Sequence, residues 1–154
     1  MTTEIDDSDR IILQAIQEDR RIGLDALADR CGLSVPSVQR RLKRLKDTGV
    51  IQREVAILNP SSFDYKMTFI VLVELERESL QQLDLFRKRV RAEPQVQQCY
   101  YVTGDADFIL VCTAQDMQDF EALTHRLFFE NSNVRRFRTS VAMERTKVGL
   151  SIPV

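Results

Sequence analysis

The sequence predicts an α+β protein in which a winged helix-turn-helix is followed by a ferredoxin-like βαββαβ domain. Up to residue 47, apolar residues recur at intervals of three and four, as on one face of an α-helix. From residue 66 onward, apolar runs typical of strands alternate with helical stretches. Their order, strand, helix, strand, strand, helix, strand, is typical of one antiparallel sheet with two helices on one face.

Two helices are predicted before the turn of the helix-turn-helix. The first spans Asp6 to Asp19, with Ile12 and Ile16 four residues apart on its apolar side. Acidic residues at its start suit the positive end of the helix dipole. The second begins at Leu24 and ends at Gly32, a residue that tolerates the positive φ angle of a helix C-terminus.

The third predicted helix begins at Ser34, a suitable N-cap, and buries Val38, Leu42 and Leu45 at helical spacing. No acidic residue occurs between Ser34 and Lys46. A helix that is apolar on one face and cationic on the other, after a turn containing glycine, is typical of a recognition helix. An ordinary helical hairpin with a solvated basic face is the alternative. The candidate contacts with double-stranded DNA are Ser34, Pro36, Ser37, Gln39, Arg40, Arg41, Lys43, Arg44 and Lys46.

Within this set, position along the helix predicts the role of each side chain. Ser37, Gln39 and Arg40 lie towards the start of the helix, where side chains reach base edges. The remaining cations are expected to contact phosphates; they are Arg41, Lys43, Arg44 and Lys46.

Composition restricts the classes of function. The chain has 154 residues, 44% hydrophobic and 29% charged, with a net charge of −1. This charge excludes a chain that is cationic throughout, so any DNA contact must use a local cluster of cations. The start of the sequence is acidic and polar, and no apolar run approaches the ~20 residues that span a bilayer. We therefore expect a cytoplasmic protein without a membrane segment.

The cysteines and the histidine give no sign of a metal or catalytic site. Cys31, Cys99 and Cys112 are widely spaced and odd in number, which disfavours disulfides and structural zinc. Cys31 and Cys112 fall in apolar patterns, as core residues do. His125 is the one histidine, and no motif of a catalytic site surrounds it. We expect no metal, no cofactor and no enzymatic activity.

A change of character near residue 59 predicts the domain boundary. Val50 to Leu58 is rich in β-formers and is interpreted as a wing hairpin or as a strand leading away from it. Asn59 to Ser62 is a cluster of turn-forming residues. We therefore assign residues 1–58 to the helix-turn-helix domain, 59–65 to a linker and 66–154 to the second domain.

The first strand of the second domain predicts self-association. The strands are predicted at 66–75, 96–103, 108–113 and 134–143, the helices at 79–91 and 116–129, and turns at 104–107 and 131–133. Phe69, Val71 and Val73 alternate with Ile70 and Leu72, so both faces of the strand are apolar. Two helices can cover only one face, and a homodimer that packs sheet on sheet would cover the other.

The sequence resembles the Lrp/AsnC (feast/famine) family of transcription factors along nearly its whole length. The matching stretches are Asp9–Leu13, Asp19–Arg21, Leu27–Ile51, Leu58–Pro60, Tyr101–Asp107, Arg138–Ser140 and Lys147. The resemblance implies an N-terminal winged helix-turn-helix, a C-terminal effector domain, homodimers formed through the sheets, and tetramers or octamers built from the dimers. It also implies that amino acids or related metabolites bind between dimers. The positions it nominates for effector binding are Thr103, Gly104, Asp105, Asp107, Met117, Thr139 and Ser140.

The chemistry of the turn at residues 104–107 suits an amino acid. Asp105 or Asp107 can accept hydrogen bonds from an ammonium group, and backbone amides near Gly104 can donate to a carboxylate. Alternatively, these aspartates only stabilise the turn. The sequence departs from the family at Phe63–Tyr65, where a glycine is usual, and at Ser132–Val134, where Pro-Gly-Val is common.

The function that these patterns indicate is sequence-specific transcriptional regulation, modulated by an amino acid or a related metabolite. An architectural protein that compacts DNA, with little sequence preference and no effector, is the alternative. A tetrapyrrole decarboxylase is a third class, since some proteins that resemble this family have that activity. Such chemistry would depend on basic and imidazole groups, and the single His125 disfavours it.

Overall fold

The computed structural model describes residues 4–77, 79–130 and 133–154. The chain divides into two compact units, one formed by residues up to 57 together with 147–154 and the other by residues 58–146. The predicted second domain included residues 147–154, whereas the structure groups them with the first unit. The reason is local: the side-chain amide of Gln17 makes hydrogen bonds of 3.0 and 2.9 Å with the backbone of Ile152.

Three helices form the core of the first unit. Helix α1 spans Asp7–Glu18, α2 spans Leu24–Cys31 and α3 spans Val35–Asp47. Gly32 ends α2 with a φ angle of 64°, as its position in the sequence predicts. The buried residues of this core are Ile12, Ala15, Leu27, Ala28 and Val38, with Leu42 partly buried beside them.

The segment after α3 does not form the predicted strand or hairpin. Residues 52–59 are exposed and, in the described part of the chain, have no neighbouring strand. Val55 and Ile57 are 61% and 88% exposed. The segment is rich in β-forming residues, but a β-strand also needs a neighbouring strand for its backbone hydrogen bonds. Composition alone does not supply that neighbour.

The second unit has the predicted βαββαβ order. Its elements are β1 (Met67–Leu75), α4 (Leu80–Ala92), β2 (Val96–Tyr101), β3 (Phe108–Ala114), α5 (Met117–Thr124) and β4 (Val134–Val141), with a 3₁₀ turn at Pro60–Phe63 and a π-helical turn at His125–Phe129. All pairings are antiparallel and the sheet order is β2-β3-β1-β4, which confirms the ferredoxin-like arrangement. The predicted turn at Asn131 and Ser132 lies outside the described residues.

The two faces of the sheet differ in burial. Phe69, Val71 and Val73 of β1 have no solvent exposure and belong to the core that α4 and α5 cover. Phe69 stacks on Phe120 of α5, with ring centroids 3.7 Å apart. On the opposite face, Ile70 and its neighbours remain partly exposed. Among the described helices, none combines the length and apolarity needed to cross a membrane.

Candidate functional site

The outer face of α3 presents polar and cationic side chains to solvent. Gln39, Arg40 and Lys43 are exposed, whereas Val38 and Leu45 on the other side of the helix have no exposure. The helical period places these two sets on opposite sides, and the apolar set fixes which side faces water. The exposed face is therefore available to a ligand as the sequence predicts.

The guanidinium group of Arg40 makes a hydrogen bond with a serine at the start of α3. The Ser34 and Ser37 hydroxyl oxygens lie 3.0 Å apart, and Arg40 Nη2 donates to Ser37 Oγ over 3.1 Å. Ser34 occupies the N-cap position but makes no capping hydrogen bond with its side chain. Its hydroxyl instead contacts the hydroxyl of Ser37, which accepts the hydrogen bond from Arg40.

Arg41 and Arg44 of α3 are paired with carboxylates at the start of α1. Arg41 Nη1 lies 2.6 Å from Asp6 Oδ2 and 2.9 Å from Asp9 Oδ1, and Arg44 Nη2 contacts Asp9 Oδ2. Arg44 also donates to the carbonyl oxygen of Glu4 over 3.4 Å. In the free chain their guanidinium groups reach back to the N-cap and first turn of α1 and bind the carboxylates there, and the expectation that both residues contact phosphates stays a prediction.

Asp9 is the centre of this ion-pair cluster and has no solvent exposure. Burial alone would raise the pKa of Asp9, but hydrogen bonds from Arg44 and Arg41 outweigh it and hold the pKa below the ordinary value. The pKa of Asp6 is also lowered, first by the backbone N–H of Asp9 and then by Arg41. Both carboxylates are thus ionised at neutral pH and bind the arginines as charged groups.

Asp9 was not among the predicted site residues, although the sequence contains a signal for it. Asp9, Ile12 and Ile16 are spaced three and four apart, which places the carboxylate on the buried stripe of α1. A charged residue on such a stripe needs a partner of opposite charge, and α3 is the nearby source of cations.

Lys46 is also paired. Its Nζ lies 3.2 Å from Glu54 Oε2, and Arg20 Nε lies 2.7 Å from Glu54 Oε1. The Arg20 contact is the main reason why the pKa of Glu54 is lowered. Glu54 therefore reduces the net positive charge at the C-terminal end of α3.

The two aspartates of the loop between β2 and β3 have different surroundings. The Asp107 carboxylate accepts a hydrogen bond of 2.6 Å from the backbone N–H of Leu75, and its own N–H donates to the Val73 carbonyl over 2.9 Å. Asp107 therefore closes the end of the β1–β3 pairing, as in the alternative in which it stabilises the turn, and its role in effector binding stays a prediction. Asp105 is exposed, next to Gly104 with its φ angle of 120°.

The remaining nominated effector residues do not form one pocket within a single chain. Thr139 is opposite Val71, on the face that the helices cover, whereas Ser140 is opposite Ile70 on the other face. Thr103 is exposed beside the loop, and Met117 begins α5 at the far end of β3. Seven residues of β3 separate the loop from that end, which corresponds to roughly 20 Å.

Comparison with known proteins identifies both parts of the chain. Residues 68–152 match the family model of the Lrp/AsnC ligand binding domain, and residues 5–52 match that of a winged helix-turn-helix DNA-binding domain. The HTH-type transcriptional regulator y4tD of Sinorhizobium fredii is 44% identical, over 98% of this chain and 89% of its own length. The leucine-responsive regulatory protein of Rhizobium meliloti is 31% identical, over 98% of this chain and 97% of its own length.

Solved structures agree with these relatives. The transcriptional regulator NMB0573 of Neisseria meningitidis, solved as a complex with L-Met, has a TM-score of 0.89, 29% identity and 97% coverage of both chains. The feast or famine regulatory protein Rv3291c from M. tuberculosis, complexed with L-methionine, has a TM-score of 0.87 and 28% identity, over 98% of this chain and all of that chain. The chain therefore belongs to the Lrp/AsnC family of transcriptional regulators.

Proposed function

We propose that this regulator reads specific DNA sequences with the exposed face of α3. The observation that carries the proposal is the exposed surface of α3, which has no acidic residue from Val35 to Lys46 and is held in place by the ion pairs of Arg41 and Arg44 with Asp6 and Asp9. Ser37, Gln39 and Arg40 are the proposed base-reading residues, because they occupy the first half of the helix. Beside them, the serine hydroxyls orient Arg40 before DNA arrives, which reduces the entropy lost on binding.

Fewer cations of α3 are proposed to contact phosphates than the sequence predicts. Lys43 is exposed and makes no ion pair with a described residue, and it is therefore the first choice. Lys46 can contact a phosphate only when its ion pair with Glu54 is broken. Ser34 and Pro36, both exposed, are proposed to approach the sugar-phosphate backbone at the start of the helix.

Substitution of Arg40 and of Lys43 should have distinct effects on DNA binding. Arg40→Ala is expected to remove roughly 1–3 kcal/mol of discrimination between the preferred sequence and others. Lys43→Ala is expected to weaken binding to all duplexes about equally and to reduce the slope of log K against log salt by about one. Fluorescence anisotropy with the best duplex from a random library, and with a scrambled duplex, measures both quantities. Unchanged sequence preference in Arg40→Ala would contradict the assignment.

We propose further that two chains associate through the uncovered faces of their sheets. The face contains Ile70 and Leu72 of β1 with Ile109 and Val111 of β3, all of which are only partly buried in one chain. Such a contiguous apolar area is large for a protein that remains monomeric. At its β4 side, Arg136 pairs with Glu74 over 2.8 Å, as in the polar rim of an interface.

The dimer proposal predicts that one charge at the centre of this face prevents association. Val111→Asp should yield a monomer, because two buried carboxylates would approach each other without partners. Leu80→Asp, at an exposed position on α4, is the matched control and should retain the mass of the parent protein. Sedimentation equilibrium measures the masses. A Val111→Asp protein that folds and keeps the parental mass would refute the sheet-to-sheet dimer.

The effector that we propose is an α-amino acid bound at the loop that contains Gly104. Asp105 is the candidate acceptor for the ammonium group, since its carboxylate is exposed, while backbone N–H groups near Gly104 are candidate donors to the carboxylate. Both solved relatives named above hold L-methionine, which supports this class of ligand. The separation of the nominated residues in one chain supports a pocket completed by a second chain.

Calorimetric titration with L-methionine should separate the two aspartates. Asp105→Asn is expected to weaken binding by about tenfold or more, because a hydrogen bond between charged groups contributes roughly 1.5–3 kcal/mol. Asp107→Asn is expected instead to lower the melting temperature, since the bond to Leu75 N weakens. If Asp105→Asn binds L-methionine as tightly as the parent protein, the assignment fails.

A regulator acting on genomic DNA is proposed to work in the cytoplasm and without catalysis. Curated relatives of the chain are transcriptional regulators, which supports this role. No contact among the described residues specifically favours the DNA-compacting alternative.

A further inference from the structure

We propose that Asp6 is an intramolecular substitute for a DNA phosphate, which holds Arg41 in the free protein and releases it when DNA binds. The inference rests on the proposed DNA-binding function of α3. The contact in question joins Arg41 Nη1 to Asp6 Oδ2 over 2.6 Å. Asp6 is the residue immediately before α1.

The two acidic partners of Arg41 differ in their access to water. The side chain of Asp6 is 51% exposed, whereas that of Asp9 is fully buried. A buried carboxylate cannot give up its cations without a large penalty, so Asp9 keeps both arginines. An exposed ion pair is weak in water, so Arg41 can exchange Asp6 for another anion at little cost.

Asp6 also lies beside the surface proposed to contact DNA. A shallow cleft joins it to residues of the exposed part of α3. The residues that line this cleft are Asp6, Leu33, Ser37, Arg40, Arg41 and Arg44. A phosphate that approached Arg40 from this side would meet the charge of Asp6 at close range, and an unpaired Asp6 would repel it.

Exchange of partners has a measurable signature in salt dependence. DNA binding releases cations from the duplex, but a freed Asp6 recruits a cation from solution and offsets part of that release. Removal of the Asp6 charge removes the offset. The salt dependence of binding should then become steeper, by less than about one in the slope of log K against log salt, because a single exposed carboxylate holds a cation more weakly than the duplex does.

The test compares Asp6→Asn with Asp7→Asn. Asn caps a helix as well as Asp does, so the hydrogen bond to Asp9 N is retained while the charge is lost. Asp7 is exposed in the first turn of α1 and takes no part in the ion pairs of Arg41. Asp7→Asn therefore changes the net charge by the same amount and leaves the contact between Asp6 and Arg41 intact.

Binding is measured by anisotropy on a random-sequence duplex across a series of salt concentrations, with the full chain. Asp6→Asn should bind DNA about twofold to fivefold more tightly than Asp7→Asn. This factor corresponds to the free energy that an exposed ion pair typically contributes. In an Arg41→Gln background the advantage of Asp6→Asn should be smaller, because no Arg41 remains to be released and only the repulsion between Asp6 and phosphate is left. Equal affinities of the two variants, or weaker binding by Asp6→Asn, would overturn the proposal.

The same samples distinguish this inference from the proposed function. If the parent protein binds the random duplex as tightly as the best selected duplex, then sequence-specific recognition fails. The comparison of Asp6→Asn with Asp7→Asn on the random duplex still decides whether Asp6 competes with phosphate.

Discussion

A carboxylate that is removed from water must remain paired, and in the first unit this constraint acts through Asp9. An unpaired ionised group in a protein interior costs several kcal/mol, more than most single contacts contribute. Asp9 has no exposure, so Arg41 and Arg44 are drawn onto it from α3. Because these arginines are three residues apart, the contact restricts the rotation of α3 about its axis. Arg40 and Lys43 are then the cations of α3 that make no ion pair with a described residue, and the proposed DNA-reading surface follows from the position of one buried charge.

The second unit shows a related constraint, in which apolar groups left partly exposed in one chain are the proposed interface with a second chain. The covered face of its sheet is complete, with Phe69 and Phe120 stacked at its centre. The other face leaves Ile70 partly exposed, and the nominated ligand residues lie at different ends and on different faces. Both features are accounted for if the working unit contains more than one copy of the chain. Effector binding between copies would then act on the same contacts that determine assembly, which links ligand concentration to the spacing of the recognition helices.

Local patterns predicted most of the fold, and long-range contacts account for what they missed. The helices, Gly32 and the βαββαβ order depend on periodicity and on residues close in sequence, and each was predicted. The pairing of Asp9 with Arg44 joins residues 35 apart. A helical wheel shows the direction of the Cβ of Arg44 but not the position of its guanidinium group. From the helical wheel alone, Arg44 is therefore expected to contact phosphate. The segment around Val55 has strand-forming composition but no partner strand among the described residues. Thr139 and Ser140 are adjacent in β4, so their side chains lie on opposite faces of the sheet. The family resemblance nominated both residues for one site without regard to this alternation.

The charge of Asp9, acting through Arg44, is expected to hold α3 on α1. A double-mutant cycle of Asp9→Asn and Arg44→Met, measured by urea unfolding of the full chain at one protein concentration, tests it most directly. The account predicts a coupling free energy of at least about 1.5 kcal/mol, within the range found for residues in direct contact. Coupling below about 0.5 kcal/mol would mean that the two side chains act independently, and it would contradict the account.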